Sequence, residues 1–291
     1  MDASGAALMV FLTFVWGTNA VTGKIAVGGL DPFFLSLGRA VVGALAVLIW
    51  CRYKGIRIFQ SDGTLKSGLV VGILFGIEFA LIYVGLSLTS ASRANLMTNT
   101  MPIFTLIGSH FLLGEKATPL KIAGTLLSFV GVFIVFFDEL SLPSETAIYG
   151  DLLCILAGAM WAATGLAIRM TKMGQVAPEK TLLYQLLGAA LVAIPFLPFA
   201  DVWIKDGSAL VWGSFLCQSL FVVAFTYVLW FWMMKKYPLT GLSAYTFLST
   251  VFGVLASGFM LGEPLTPGLL GGMTLVVFGI ILVNFNRAGK A

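Results

Sequence analysis

Charge is scarce in this chain. Of 291 residues only 10% are Asp, Glu, Lys or Arg, where a soluble domain carries roughly 25%. So little polar surface cannot wrap a body of this size in water. Histidine occurs once, at His110, which excludes metal centres built from several imidazoles. The three cysteines, Cys51, Cys154 and Cys217, have neither metal-type spacing nor the pattern of a disulfide framework, and read as packing residues. A nucleophile elbow, a P-loop and a dinucleotide fingerprint are all missing where they could work. No dense His/Asp/Glu cluster and no activated nucleophile remain, so the chain does not read as an enzyme and implies no cofactor.

Apolar residues fill the space that charge leaves, at 59% of the chain. They gather in ten stretches, approximately 6–27, 34–52, 66–86, 93–113, 119–137, 148–169, 179–198, 210–233, 241–261 and 267–285. About 20 apolar residues carry a helix across the hydrocarbon layer. Helices are the expected element, because a backbone facing lipid must satisfy its own hydrogen bonds and no short alternating strands are written here. The fold class is therefore all-α, a polytopic membrane protein with ten transmembrane helices. The first stretch reads as a span and not as a signal peptide, since no basic residues precede it and no small-residue cleavage site follows.

Basic residues orient the helices. With the N-terminus cytoplasmic, one side collects Arg52, Lys54, Arg57, Lys66, Lys116, Lys121, Arg169, Lys172, Lys180, Lys235, Lys236, Arg287 and Lys290. The other side keeps Lys24, Arg93 and Lys205. Such asymmetry predicts a multi-pass protein with N- and C-termini both cytoplasmic. The net charge of +4 is then a topology signal, and no nucleic-acid partner is expected.

One phrase occurs twice. LGEKATP at 113–119 returns as LGEPLTP at 261–267, and across 113–137 against 261–285 ten of twenty-five positions are identical. Shared hydrophobicity cannot place Gly, Glu, Thr and Pro together in both copies. A weaker match pairs Trp16 with Trp161. The chain reads as two five-helix repeats, over 1–140 and 147–287. Because five is odd, the second copy enters from the opposite face and the repeats are inverted, a device of secondary transporters. Thr118-Pro119 and Thr266-Pro267 read as helix starts, with Glu115 and Glu263 beside those starts or serving a gate.

Two five-helix halves, each ending in LGE-x-x-TP before a Gly-bearing helix and each with an early Trp, resemble the drug/metabolite transporter superfamily. Within it they are similar to the EamA-type branch and to its aromatic amino acid exporters of the YddG type. The resemblance implies a secondary transporter that exports small metabolites, amino acids foremost (aromatic or other hydrophobic), across an inner membrane by alternating access. It implies a small-molecule solute and the lipid bilayer as partners, with no obligatory protein partner evident. Other solute classes stay open: a drug, a nucleoside or a sugar derivative. So does a structural role without transport. One departure is that Pro102 has Thr250 as its repeat mate, which leaves no symmetric pair of proline kinks.

Polar groups inside spans are expensive and should face a cavity or a partner. Asn95, Thr98, Asn99, Pro102, Thr105 and Ser109 share one arc of the fourth stretch. Ser243, Thr246, Ser249, Thr250, Gly253 and Ser257 form a comparable arc in the ninth. Both arcs read either as a shared pathway or as small-residue glue between helices. Trp16 with Asn19, and their mates Trp161 with Thr164, read either as aromatic walls of a solute site or as plain packing. Glu78 lies about 18 Å into its helix at 1.5 Å per residue, near mid-membrane. It could bind a substrate ammonium, carry a coupling proton, or pair with Arg39. Gly68, Gly72 and Gly76 make a stripe for close helix approach. The expected substrate-binding set is thus Trp16, Asn19, Glu78, Asn95, Thr98, Asn99, Trp161, Thr164, Ser243, Thr246 and Thr250.

Overall fold

The computed structural model describes residues 1–60, 62–89, 91–137, 144–261 and 267–285. Among them, ten helical stretches follow one another: α1 (Ala3–Gly29), α2 (Pro32–Lys54), α3 (Leu65–Leu88), α4 in two pieces (Ala91–Thr98 and Met101–Leu112) and α5 (Pro119–Phe137). The second set is α6 (Glu145–Met170), α7 (Pro178–Phe199), α8 (Ala209–Lys236), α9 in two pieces (Leu239–Tyr245 and Phe247–Leu261) and α10 (Pro267–Asn284). Each overlaps one of the ten expected spans. Helices α1, α2, α3, α6, α7 and α8 are long and apolar enough to cross a membrane by themselves, whereas α4 and α9 are broken and α5 and α10 contain shorter apolar runs.

Local chemistry sets the helix ends. Asp31 accepts from the N–H groups of Phe33 and Phe34 ahead of Pro32, a cap followed by a proline whose missing N–H costs nothing there. Thr118 caps α5 through Lys121 N–H at 3.3 Å. In the LGE phrase Gly114 holds φ +68, a left-handed turn that glycine adopts without Cβ strain. Glu115, expected beside the start of its own following helix, goes elsewhere. Its carboxylate accepts from Thr240 Oγ1 at 2.6 Å and Leu239 N–H at 3.3 Å, capping α9 of the other half. Gly262, Glu263, Pro264 and Thr266 of the second phrase lie outside the described residues, as do Arg287 and Lys290. Arg93, one of the basic residues on the sparsely charged side, forms an ion pair with Asp151 of α6, which also accepts from Thr89 Oγ1. In the loop between α2 and α3, Lys180 Nζ donates to Asp62 at 2.7 Å and, with Thr64, holds that carboxyl down to about 2.

Helix pairing obeys a twofold. α1 packs on α9 as α6 packs on α4, and α3 lies between α6 and α7 as α8 lies between α1 and α2. The axis direction follows from α5 and α10. A Cβ on Gly124 would sit 2.6 Å from Gly279 O, and one on Gly131 would sit 2.6 Å from Gly272 O. As residue number rises along α5 it falls along α10, so the helices are antiparallel. Gly124 and Gly131 are the repeat mates of Gly272 and Gly279, so the rotation exchanges the two contacts. A twofold relating antiparallel helices must run perpendicular to them, in the plane of the bilayer. The repeats are inverted. The start of α1 and the end of α10 both meet the segment between α8 and α9, where Tyr237 donates to Asp2 at 2.7 Å and Asn284 donates to Gly241 O.

The breaks in α4 and α9 stand at matching places, although only α4 has a proline there. In α9 the hydroxyls of Ser243, Thr246 and Ser249 each donate three residues back, to the carbonyls of Thr240, Ser243 and Thr246. Such back-bonding tightens the local turn and bends a helix. Serine and threonine achieve in one half what Pro102 assists in the other.

Candidate functional site

Between the halves lies a cavity of about 160 Å3, walled by α1 to α4 and α6 to α9 and leaving α5 and α10 outside. An apolar cavity of roughly 150 Å3 takes up benzene, so one aromatic ring fits this space. Eight of the expected residues stand on its wall: Trp16, Asn19, Glu78, Asn95, Thr98, Asn99, Trp161 and Thr164. Ser243, Thr246 and Thr250 do not. They are buried, and the first two donate their hydroxyls to their own helix, which removes them from the pathway face. Among the described α9 hydroxyls Ser249 alone reaches the lining, and the Ser257 side chain lies outside the described residues. Thr98 and Thr164 reach it with their hydroxyls likewise bonded back, to Ala94 O and Met160 O.

One wall is aromatic. The Trp16 and Trp161 rings, mates under the repeat, meet edge to face at 5.8 Å, and Trp230 closes the group at 5.4 Å from Trp16. The Trp16 indole N–H is pinned by Thr226 Oγ1 at 2.9 Å. Next to the aromatic group, through Tyr227, whose ring lies 6.1 Å from Trp16, a polar part of the wall centres on Arg39 of α2. Its Nη1 donates to Tyr83 OH at 2.5 Å and its Nη2 to Tyr227 OH at 3.2 Å, while Phe79 lies 3.9 Å from the guanidinium. The Tyr83 hydroxyl donates to Gln218 Oε1, and Gln218 Nε2 donates to Thr22 O.

Glu78 and Arg39 are both buried, at 2% and 5% exposure, yet they form no ion pair within 4.0 Å. Pairing with Arg39 is thus not what holds Glu78. Its Oε2 finds no hydrogen-bond partner in the protein, and neither do Asn99 Oδ1, Gln185 Oε1 and Arg39 Nε. Unmet valences of this kind are costly in a low-dielectric interior. Here four of them share one cavity.

Gln185, Gln218, Tyr227 and Trp230 were not expected at the site. Gln185 and Gln218 carry amides inside spans, a signal of the same kind as Asn95. Tyr227 is different. Residues Cys217–Tyr227 of α8 form a π-helix. Nine residues of α-helix make two and a half turns at about 3.6 residues each, which would set Gln218 and Tyr227 on opposite faces. The wider i→i+5 helix, at about 4.4 residues per turn, brings nine residues close to two full turns. Only that winding puts Gln218, Val222 and Tyr227 together on the cavity wall. π segments gather at functional sites.

The sequence matches the EamA-like transporter family over residues 3–137 and again over 148–285. The chain belongs to the EamA-like transporter family. Among relatives of this transporter are an uncharacterized transporter of Archaeoglobus fulgidus, 30% identical over 96% of this chain and 98% of that one. The uncharacterized transporter YoaV of Bacillus subtilis is 22% identical over 95% of each. A protein of Salmonella typhimurium, described as a probable amino-acid metabolite efflux pump, is 24% identical over 96% of this chain and 94% of that one. A solved crystal structure shares the fold with a TM-score of 0.79, at 20% identity over 98% of both chains. The protein is therefore a polytopic membrane transporter, and not an enzyme.

Proposed function

We propose that this EamA-like transporter exports small metabolites, namely amino acids with aromatic or other hydrophobic side chains, across the inner membrane, by alternating access and with both termini in the cytoplasm. The carrying observation is the cavity itself. It draws walls from both halves, holds a cation and a carboxylate that do not neutralise each other directly, and faces them with three tryptophans. A zwitterion with an apolar body complements that set. Repeat units 1–140 and 147–287 tilt about the chamber, and the broken α4 and α9 give each a jointed helix beside it. The Salmonella relative supports the choice of solute class.

Counterflow in proteoliposomes tests the proposal. Labelled phenylalanine or leucine should exchange at least tenfold faster than in protein-free vesicles, and a nucleoside or a sugar should not compete. Exchange of the nucleoside with none of the amino acids would remove the solute assignment. Orientation is checked in cells by cysteine labelling: Lys116→Cys and Lys205→Cys should react from opposite faces, with Lys116→Cys reached only from the cytoplasm.

A further inference from the structure

We infer that two side-chain clusters, one at each end of the chamber, are its outer and inner gates, built by the repeat on one plan. Lys24, Thr89 and Asp151 hold one end; Arg169, Tyr237 and Asp2 hold the other. This rests on the preceding proposal that the chamber carries the solute and that the termini are cytoplasmic, which makes the first gate the outer one.

Position comes first. The last lining residues of α1 and α3 are Gly23 and Leu86, and those of α6 and α8 are their repeat mates Ile168 and Met234. Each cluster begins just past them. Lys24 stands eight residues after Trp16, as Arg169 stands eight after Trp161. Lys24 Nζ donates to Leu86 O and Thr89 O, both at 2.7 Å, and Arg169 Nη2 donates to Tyr237 O. Thr89 and Tyr237 close α3 and α8, and they are mates at the same spacing as Gly124 and Gly272. In each half a cation on the first helix thus seats on the carbonyl end of the third, where the partial negative charge of a helix gathers. These bonds stay inside one half and tie it into one body.

Bonds between the halves grow from the same residues. The Thr89 hydroxyl donates to Asp151 of α6 at 2.9 Å, and the Tyr237 hydroxyl donates to Asp2, the cap of α1, at 2.7 Å. A cation from the hydroxyl's own half faces each carboxylate: Arg93 pairs with Asp151, and Lys236 Nζ lies 4.0 Å from Asp2 Oδ2. The carboxylates are not strict mates, since Asp151 stands four residues, about one helical turn, past the mate of Asp2. A bond that only caps a helix needs no partner from the other repeat. These two join the repeats at opposite ends of the chamber, and each must part before the halves tilt open on its side.

Loosening one gate favours the state open on that side, so the two must act in opposite directions. In a chain with Cys51, Cys154 and Cys217 replaced by alanine, Ser249→Cys places a thiol on the chamber wall. Its labelling by a membrane-impermeant methanethiosulfonate is followed from each side, in right-side-out and inside-out vesicles. Thr89→Val should speed labelling from outside by about fivefold or more, the scale of one hydrogen bond to a charged group. Tyr237→Phe should do the same from inside, and Thr89→Ser, which keeps the hydroxyl, should label as the parent does. Labelling needs no solute, so it is readable even where phenylalanine does not exchange. Opposite effects with the sides exchanged would uphold the gates and overturn the cytoplasmic placement of the termini. Effects in one direction from both changes, or none from either, would overturn the gates. Where a variant does not fold, cross-links decide: Thr89→Cys with Asp151→Cys, or Asp2→Cys with Tyr237→Cys, bridged by a bis-methanethiosulfonate, should each stop phenylalanine counterflow until reduced. Counterflow that runs on through either bridge would overturn the inference as well.

Discussion

Valine at Gly72 or Gly188 will leave too little folded bundle to survive detergent extraction. In water a helix seam is held by the hydrophobic effect, but in lipid the hydrocarbon competes equally for apolar side chains. Close van der Waals contact then carries the association. The seam of α3 with α7 is of that kind. A Cβ on Gly76 would lie 2.6 Å from Gly188 O, and a Cβ on Gly68 would lie 2.6 Å from the Tyr184 ring. At Gly188 the obstacle is the backbone of Gly72 itself, which cannot rotate away as a side chain can. The helices would have to part along the seam that holds the two halves together. We expect a loss of about 3 kcal/mol or more, at the upper end of overpacking. Gly28 in α1 is the control, since a Cβ there meets nothing within 4 Å, and Gly28→Ala should leave stability nearly unchanged. Thermal unfolding followed by size-exclusion chromatography in detergent measures both. A wild-type melting point for Gly188→Val would mean that the seam is not as tight as described.

Removing the buried cation comes next in size. Arg39→Met should abolish exchange, to below about one hundredth of the wild-type rate, and destabilise the fold by ~3 kcal/mol, the scale for breaking a buried hydrogen-bond network built on a charged donor. Tyr83 and Tyr227 lose their donor, and Glu78 loses the one basic group among the side chains that face the cavity. The second step distinguishes this from simple loss of packing. In the Arg39→Met background, Glu78→Gln should restore part of the stability. The two changes would then be non-additive by about 1–3 kcal/mol, as for groups within one electrostatic network. Strict additivity in a denaturation cycle would show that Arg39 and Glu78 do not sense each other across the cavity.

Much of the architecture was legible in the letters. Gly114 and Thr118-Pro119 are dictated by local backbone chemistry, a positive φ and a helix start, and so could be read where they stand. The duplicated phrase implied the inversion that the Gly124 and Gly131 contacts display. Glu115 could not be placed in this way, because its partners at Leu239 and Thr240 lie far along the chain. Ser243 and Thr246 misled for the opposite reason. On a helical wheel they align with a pathway, but a hydroxyl can satisfy itself on a carbonyl three residues back and needs no cavity.

Sequence by itself determined the class of molecule, the run of helices and their duplication, since hydropathy, turn chemistry and repetition are properties of neighbours along the chain. Tertiary structure alone decided which face of each helix borders the chamber. It also decided that Arg39 is taken by tyrosines while Glu78 stays open, and that α8 winds as a π-helix beneath Tyr227. Those outcomes depend on what the other half of the bundle presents at the same depth, and no stretch of residues carries that information about its distant neighbour.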